Sequence, residues 1–84
     1  NGSMSDYFEL ADGFAVGATR VPAAAAGVSL AEAKLRQRFG VTVIGTRKDG
    51  AQFSYAEAGT ILEAGDQVIV TGDAAKVRAF AAME

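Results

Sequence analysis

The sequence contains no cysteine, no histidine and no tryptophan, and only one proline, Pro22. Without cysteine there is no disulfide framework and no thiolate metal site. Without histidine the usual zinc, copper and haem ligands are missing, together with the commonest general base, so no metal site is expected. No G-x-S-x-G elbow and no other nucleophile–base constellation occurs, and an enzyme is not expected. The G-x-G-x-x-G pattern is absent as well, which removes a Rossmann phosphate loop. No run approaches the roughly eighteen continuous apolar residues of a membrane-crossing helix. The amino terminus also lacks the basic region and apolar core of a signal peptide, so the cytoplasm is the expected compartment.

What is present is a chain of 84 residues, enough for one domain, half of it apolar. Much of that apolar half is alanine, which buries little area per residue, and a small chain buries a modest fraction of its surface. A partner, most simply a second copy, is therefore expected to complete the core. The net charge of -2 argues against a general nucleic-acid binder. Yet five of the eight basic residues, Lys34, Arg36, Arg38, Arg47 and Lys48, lie in "KLRQRFGVTVIGTRK" with no acidic residue among them. A local basic cluster in an acidic chain suits a small anion better than a long polyanion. The plain alternative is a solvated face. In a dimer that brought two clusters together, an anion would relieve the crowding.

The elements follow from local signals. "FAVGATRV" alternates as a strand over 14–21, stopped by Pro22. "SLAE" is a capping box opening a helix over 29–39, with Ala31, Leu35 and Phe39 on one face and Gly40 as its left-handed cap. "VTVIGTR" is a strand over 41–47, Asp49-Gly50 a tight hairpin turn, and a short strand returns over about 51–55. A loop with a turn at Ala64–Gly65 leads to "QVIVTG", 67–72, the most apolar run and the expected central strand. Asp66 is expected to cap the turn before it. Asp73 caps a last helix in which Ala74, Val77, Phe80 and Ala81 share a face. Residues 1–12 have weak periodicity and read as a tag remnant ("NGSM") and lead-in segment, leaving 13–84 as the domain. The expected fold is a small α+β domain, β-α-β-β-β-α, with a mainly antiparallel sheet and helices on one face. Arg47 and Lys48 read as surface charges guarding a strand edge. Phe53 and Tyr55 read as hydrophobic filling, or as platforms for a base.

The ordered set "GVSLAEAKLRQRFGVTVIGTRKDG" and "GTILEAGDQVIVTGDAAKVRAF" resembles the carboxy-terminal regulatory domain found with potassium channels and transporters, the TrkA-C or RCK-C family. The resemblance runs from about Phe14 to Phe80. It rests on G-x-S-L before a helix, L-R-x-x-F-G-V at its end, a strand closing in a basic residue, and T-x-L-x-x-G-D before a strand ending in T-G. It implies a dimeric sensor attached to, or partnered with, a potassium channel, a potassium uptake system or a cation/proton antiporter subunit. Some members of that family bind cyclic di-AMP, a small anionic nucleotide, in a cleft between two protomers. There, apolar residues opening the first helix hold the adenines, and polar groups near the L-R pair meet the phosphates. Carried onto this chain, the resemblance implies a ligand site at Leu30, Ala31, Lys34, Leu35, Arg36 and Gln37, with Arg36 foremost. Two departures stand out. "AEAGT", 56–60, replaces a segment usually rich in proline, and Lys34 stands where binding members often carry an acidic residue or Asn. No resident cofactor is implied. The alternatives are a ligand-free dimerisation module of the same machinery, and a single-strand nucleic-acid binder using the basic stretch with Phe53 and Tyr55. The net charge opposes the last.

Overall fold

Alternating β-branched residues in "QVIVTGD" create the strand on which the rest of the molecule is assembled. Val68 and Val70 point to one side and are fully buried, while Ile69 points to the other. In the computed structural model, which describes residues 4–84, the elements are β1 (Met4–Glu9), β2 (Phe14–Arg20), α1 (Leu30–Ala33), α2 (Leu35–Phe39), β3 (Val41–Arg47), β4 (Ser54–Tyr55), β5 (Gln67–Asp73) and α3 (Ala74–Ala82). A short 3-10 turn, Ala23–Ala25, follows β2. The five strands form one sheet in the order β1-β2-β5-β3-β4, and every neighbouring pair is antiparallel. The architecture is a small α+β domain with the predicted central strand at the sheet centre.

The tag-remnant reading falls chiefly on residues 1–3, which lie outside the described residues. Within the expected lead-in segment, Met4–Glu9 forms β1 and pairs along β2. Five of its six residues are exposed, so burial left little periodicity there for a sequence reading to detect.

Helices α1, α2 and α3 lie on one face and share one core. Leu35, Val41, Leu62, Val68, Val70, Val77 and Phe80 form its centre. The Phe39 and Phe80 rings meet there at 5.7 Å between centroids, a tilted contact of the kind aromatic pairs favour. The predicted face of α3 is buried as expected: Ala74, Val77, Phe80 and Ala81 all lie inside. Gly17 on β2 lets α3 and β1 approach, because a Cβ there would stand 3.0 Å from Val77 Cγ1 and 2.9 Å from Met4 Sδ.

The expected single helix over 29–39 is two helices. The capping box forms as read, with the Glu32 N–H donating to Ser29 Oγ and the Ser29 N–H donating to Glu32 Oε1. After one turn, however, Lys34 adopts φ 54°, ψ 44°, the left-handed region, and the helix restarts. Packing explains the break. Ala33 and Leu35 are both buried, yet two residues apart on a regular helix they would point roughly 200° from each other. A left-handed residue between them turns both inward and leaves Ala31, expected on the buried face, exposed. The start of α1 is meanwhile fixed by the loop before β5. Leu30 N–H donates to the Thr60 carbonyl at 2.8 Å, Ala31 N–H donates to that of Ala58 at 3.0 Å, and Ser29 bridges Ile61.

The return from β3 also differs. The strand expected over 51–55 is confined to Ser54–Tyr55, and of the turn residues only Gly50 has positive φ. The expected turn at Asp49–Gly50 forms, with the Ala51 N–H donating to the Lys48 carbonyl at 3.0 Å, but the ladder beside it begins only at Thr46 and Ser54. A bulge between Val43 and Gly45 in the β3–β5 pairing leaves Ile44 outside the register.

Candidate functional site

Gly40 joins α2 directly to β3 in the left-handed conformation, φ 74°, so the strand doubles back beneath the helices. The fold leaves a cavity of about 290 Å³ in the angle between them. All six residues singled out from the sequence, Leu30, Ala31, Lys34, Leu35, Arg36 and Gln37, line it, joined by Val41, Thr42 and Val43. Leu35 and Val41 are buried and make the floor, with Leu30 and Val43 half-buried beside them. Ala31, Lys34, Arg36 and Gln37 are exposed at the rim. Val41 and Thr42 were missed because their place depends on the tight α2–β3 connection. The signal that could have revealed it is Gly40 followed at once by a β-branched run.

The five basic residues do not act as one field. Among the described residues, the Lys34 and Arg36 side chains have no hydrogen-bond or ion-pair partner, and both stand at the cavity rim. Arg38 is engaged. It donates to the Ala33 carbonyl at 2.9 Å and the Ala24 carbonyl at 3.3 Å, and its guanidinium carbon lies 4.8 Å from the Phe39 ring centroid. It thereby satisfies a carbonyl at the helix break and ties the α1–α2 junction to the 3-10 turn.

Arg47 donates to Gln67 Oε1 and stacks over Phe53, 4.6 Å from the ring centroid. Phe53 is thus neither core filling nor a free platform, while Tyr55 is almost fully exposed. Lys48, read as a surface charge, is exposed as expected and is also anchored. Its Nζ donates to Asp66 Oδ2 at 2.6 Å, to the Ile61 carbonyl at 3.0 Å and to Glu63 Oε1 at 3.4 Å. The hydrogen bond to Asp66 holds the Lys48 pKa above its ordinary value, with the Asp66 and Glu63 charges adding and partial desolvation opposing. A buried carboxylate draws this lysine in. Asp66 is the buried group, and it also accepts from the Glu63 N–H at 2.9 Å, the turn cap anticipated for it. Three of the five cations are therefore committed within the fold, and the crowding expected of a dimer reduces to Lys34 and Arg36.

The resulting site has an apolar floor, Thr42 at one wall and two uncommitted cations at the rim. Such a cavity can take a flat apolar group against Leu30, Leu35, Val41 and Val43 while an anion meets Lys34 and Arg36. Among the described residues there is no cluster of three potential metal-ligating side chains.

Comparison with known proteins places the fold. The sequence profile of the TrkA-C domain matches residues 19–83. A GsuK channel bound to NAD is 27% identical and superposes with a TM-score of 0.70 over 82% of this chain. A GsuK RCK domain is 30% identical with a TM-score of 0.69, again over 82% of this chain. The chain spans only 13% and 16% of those two proteins respectively. No curated protein sequence matches it.

Proposed function

The chain belongs to the TrkA-C domain family, and from that premise we propose that it is a cytoplasmic ligand-sensing domain regulating a potassium or cation/proton transport system. It works as a homodimer in which the α1–α2 cavities of two protomers hold one molecule of cyclic di-AMP. It performs no catalysis, and its partner is a channel or transporter subunit; among the described residues no helix is long and apolar enough to cross a membrane.

The observation that carries this reading is the pair of unpartnered cations above an apolar floor. Arg36 supplies a rigid fork of donors matched to phosphate oxygens and keeps its charge at any cellular pH. Leu30, Leu35, Val41 and Val43 supply a surface for one adenine. A cavity of about 290 Å³ is at the small end for a ligand of this size, and a second copy facing it doubles the space. A ligand with twofold symmetry suits a twofold interface. The signal is a population shift: the ligand binds one dimer geometry more tightly and favours it to the extent of that difference. NAD, bound by one of the similar channels, also carries an adenine and two phosphates and is the natural competitor. A second reading, a ligand-free dimerisation module, is favoured by the place of Arg36 in the last turn of α2, where a cation complements the helix dipole without any ligand.

Isothermal titration with cyclic di-AMP, NAD, cyclic di-GMP and ATP decides between them. Expected is selective binding of cyclic di-AMP at one ligand per two chains, weakened at least about tenfold in Arg36→Ala, as removal of a charge-assisted contact predicts. A dimer that binds none of the four would support the module, and a monomer that binds none would sink both readings.

A further inference from the structure

A second cationic feature lies on the helix-free face of the sheet, and the cavity already described does not include it. The register places Arg20 of β2 opposite Gln67 of β5, and Gln67 opposite Arg47 of β3. The three side chains therefore form one row across three adjacent strands. We propose that this Arg20–Gln67–Arg47 row is a phosphate-binding site, taking a phosphate group either free or on a small metabolite.

The polarity of the row supports this. A guanidinium can only donate, so the oxygen of the Gln67 amide must face Arg47, as it does. The amide NH2 is left to point away as a donor. Every group the row presents to an incoming ligand is then a donor, and two of the three are charged. A group carrying only acceptors fits such a row, and a phosphate carries them in a geometry matched to guanidinium forks. Neighbouring strands lie about 4.8 Å apart, so the arginines are anchored roughly 10 Å apart, within reach of one oxyanion centred over Gln67.

The row is also partly preorganised. Arg47 is held by Gln67 and by the Phe53 ring, whereas Arg20 is exposed and has no side-chain partner among the described residues. A cavity of about 530 Å³ adjoins the row, lined by all three residues with the β3–β4 turn, Lys48 to Ala51, closing one side. Of the charges there, Lys48 is balanced by Asp66 and Glu63. Asp49 is the one carboxylate lining the cavity, so the site keeps a net positive charge.

The test is a 15N NMR titration of the whole chain with inorganic phosphate and, separately, AMP, against sodium chloride at matched ionic strength. Expected are saturable shifts at Arg20, Gln67 and Arg47 with phosphate-bearing probes and none with chloride. Arg20→Gln leaves the fold intact because its side chain is exposed and has no hydrogen-bond or ion-pair partner among the described residues, and it weakens binding at least about tenfold. Gln67→Glu sets a carboxylate between the arginines and abolishes binding, while a thermal melt confirms that the domain remains folded. Shifts with AMP but not with inorganic phosphate would assign the site to a phosphorylated metabolite; shifts with both would assign it to the phosphate group alone. No saturable shift at these residues up to about 10 mM of either probe, or equal affinity in Arg20→Gln, overturns the proposal. Arg36→Ala should leave these shifts unchanged, so the outcome is independent of the cyclic di-AMP reading.

Discussion

The two helical segments begin alike and end differently. α3 is capped by Asp73, whose carboxylate accepts from the Ala75 N–H, and runs uninterrupted from Ala74 to Ala82 over β2 and β5. The segment from Ser29 is capped more fully, by a reciprocal box, yet breaks after Ala33. Capping strength does not explain the contrast; surroundings do. α3 has one continuous face to bury and one surface to bury it against. The first segment is tethered at its start to the 58–61 loop and at its end to β3 through Gly40. A straight helix cannot meet both anchors while burying Ala33 and Leu35. The uninterrupted helix serves the core, and the broken one leaves the cleft.

That contrast can be broken or sharpened by substitution. Phe80→Ala removes the largest side chain that α3 buries and is expected to cost about 3–5 kcal/mol, read by urea denaturation. A much smaller loss would mean that α3 does not anchor the core. Ser29→Ala and Asp73→Ala should each cost about 1 kcal/mol. Equal losses would confirm that the caps are matched and that packing makes the difference, whereas a negligible loss at Ser29 would mean that α1 is held by the loop alone. Lys34→Gly relieves a left-handed conformation worth about 1 kcal/mol to a side-chain-bearing residue, partly offset by glycine's extra freedom when unfolded. A small rise in melting temperature is expected, and a fall would contradict a left-handed residue at the break.

The smallest effect concerns the anchored lysine. Lys48 has a raised pKa when folded, so its contribution is fully present below lysine's ordinary value of 10.5 and is lost as pH rises through the higher folded value. The stability difference between the wild type and Lys48→Met should therefore be constant at neutral pH and shrink in the alkaline range above 10.5.

Legibility in the sequence followed the range of the interactions. β3 matches the predicted 41–47, β5 and α3 lie where expected, and the Asp66 turn cap forms, because each is dictated by neighbours within a few residues. The Lys34 break, the Ser29–Ile61 bridge and the capture of Lys48 by Asp66 were not legible, because each requires residues brought together only by the finished fold. The candidate cavity was half legible. Its helical wall came from the resemblance on "SLAEAKLRQ", while Val41 and Thr42 of its strand wall needed the direction in which Gly40 turns the chain.

The pairing of β2 with β5 has a consequence for how the domain is made. Phe14 sits opposite Asp73, so β2 waits for β5, more than forty residues further along the chain. During synthesis the span from β2 up to β5 can build the capped turn at Ser29, but the centre of the sheet waits until β5 has left the ribosome. Pairings this distant close slowly compared with helical contacts. The apolar strands β2 and β3 thus spend their early life without the neighbour that separates them, and in that interval they are most open to capture by a chaperone or by another nascent chain.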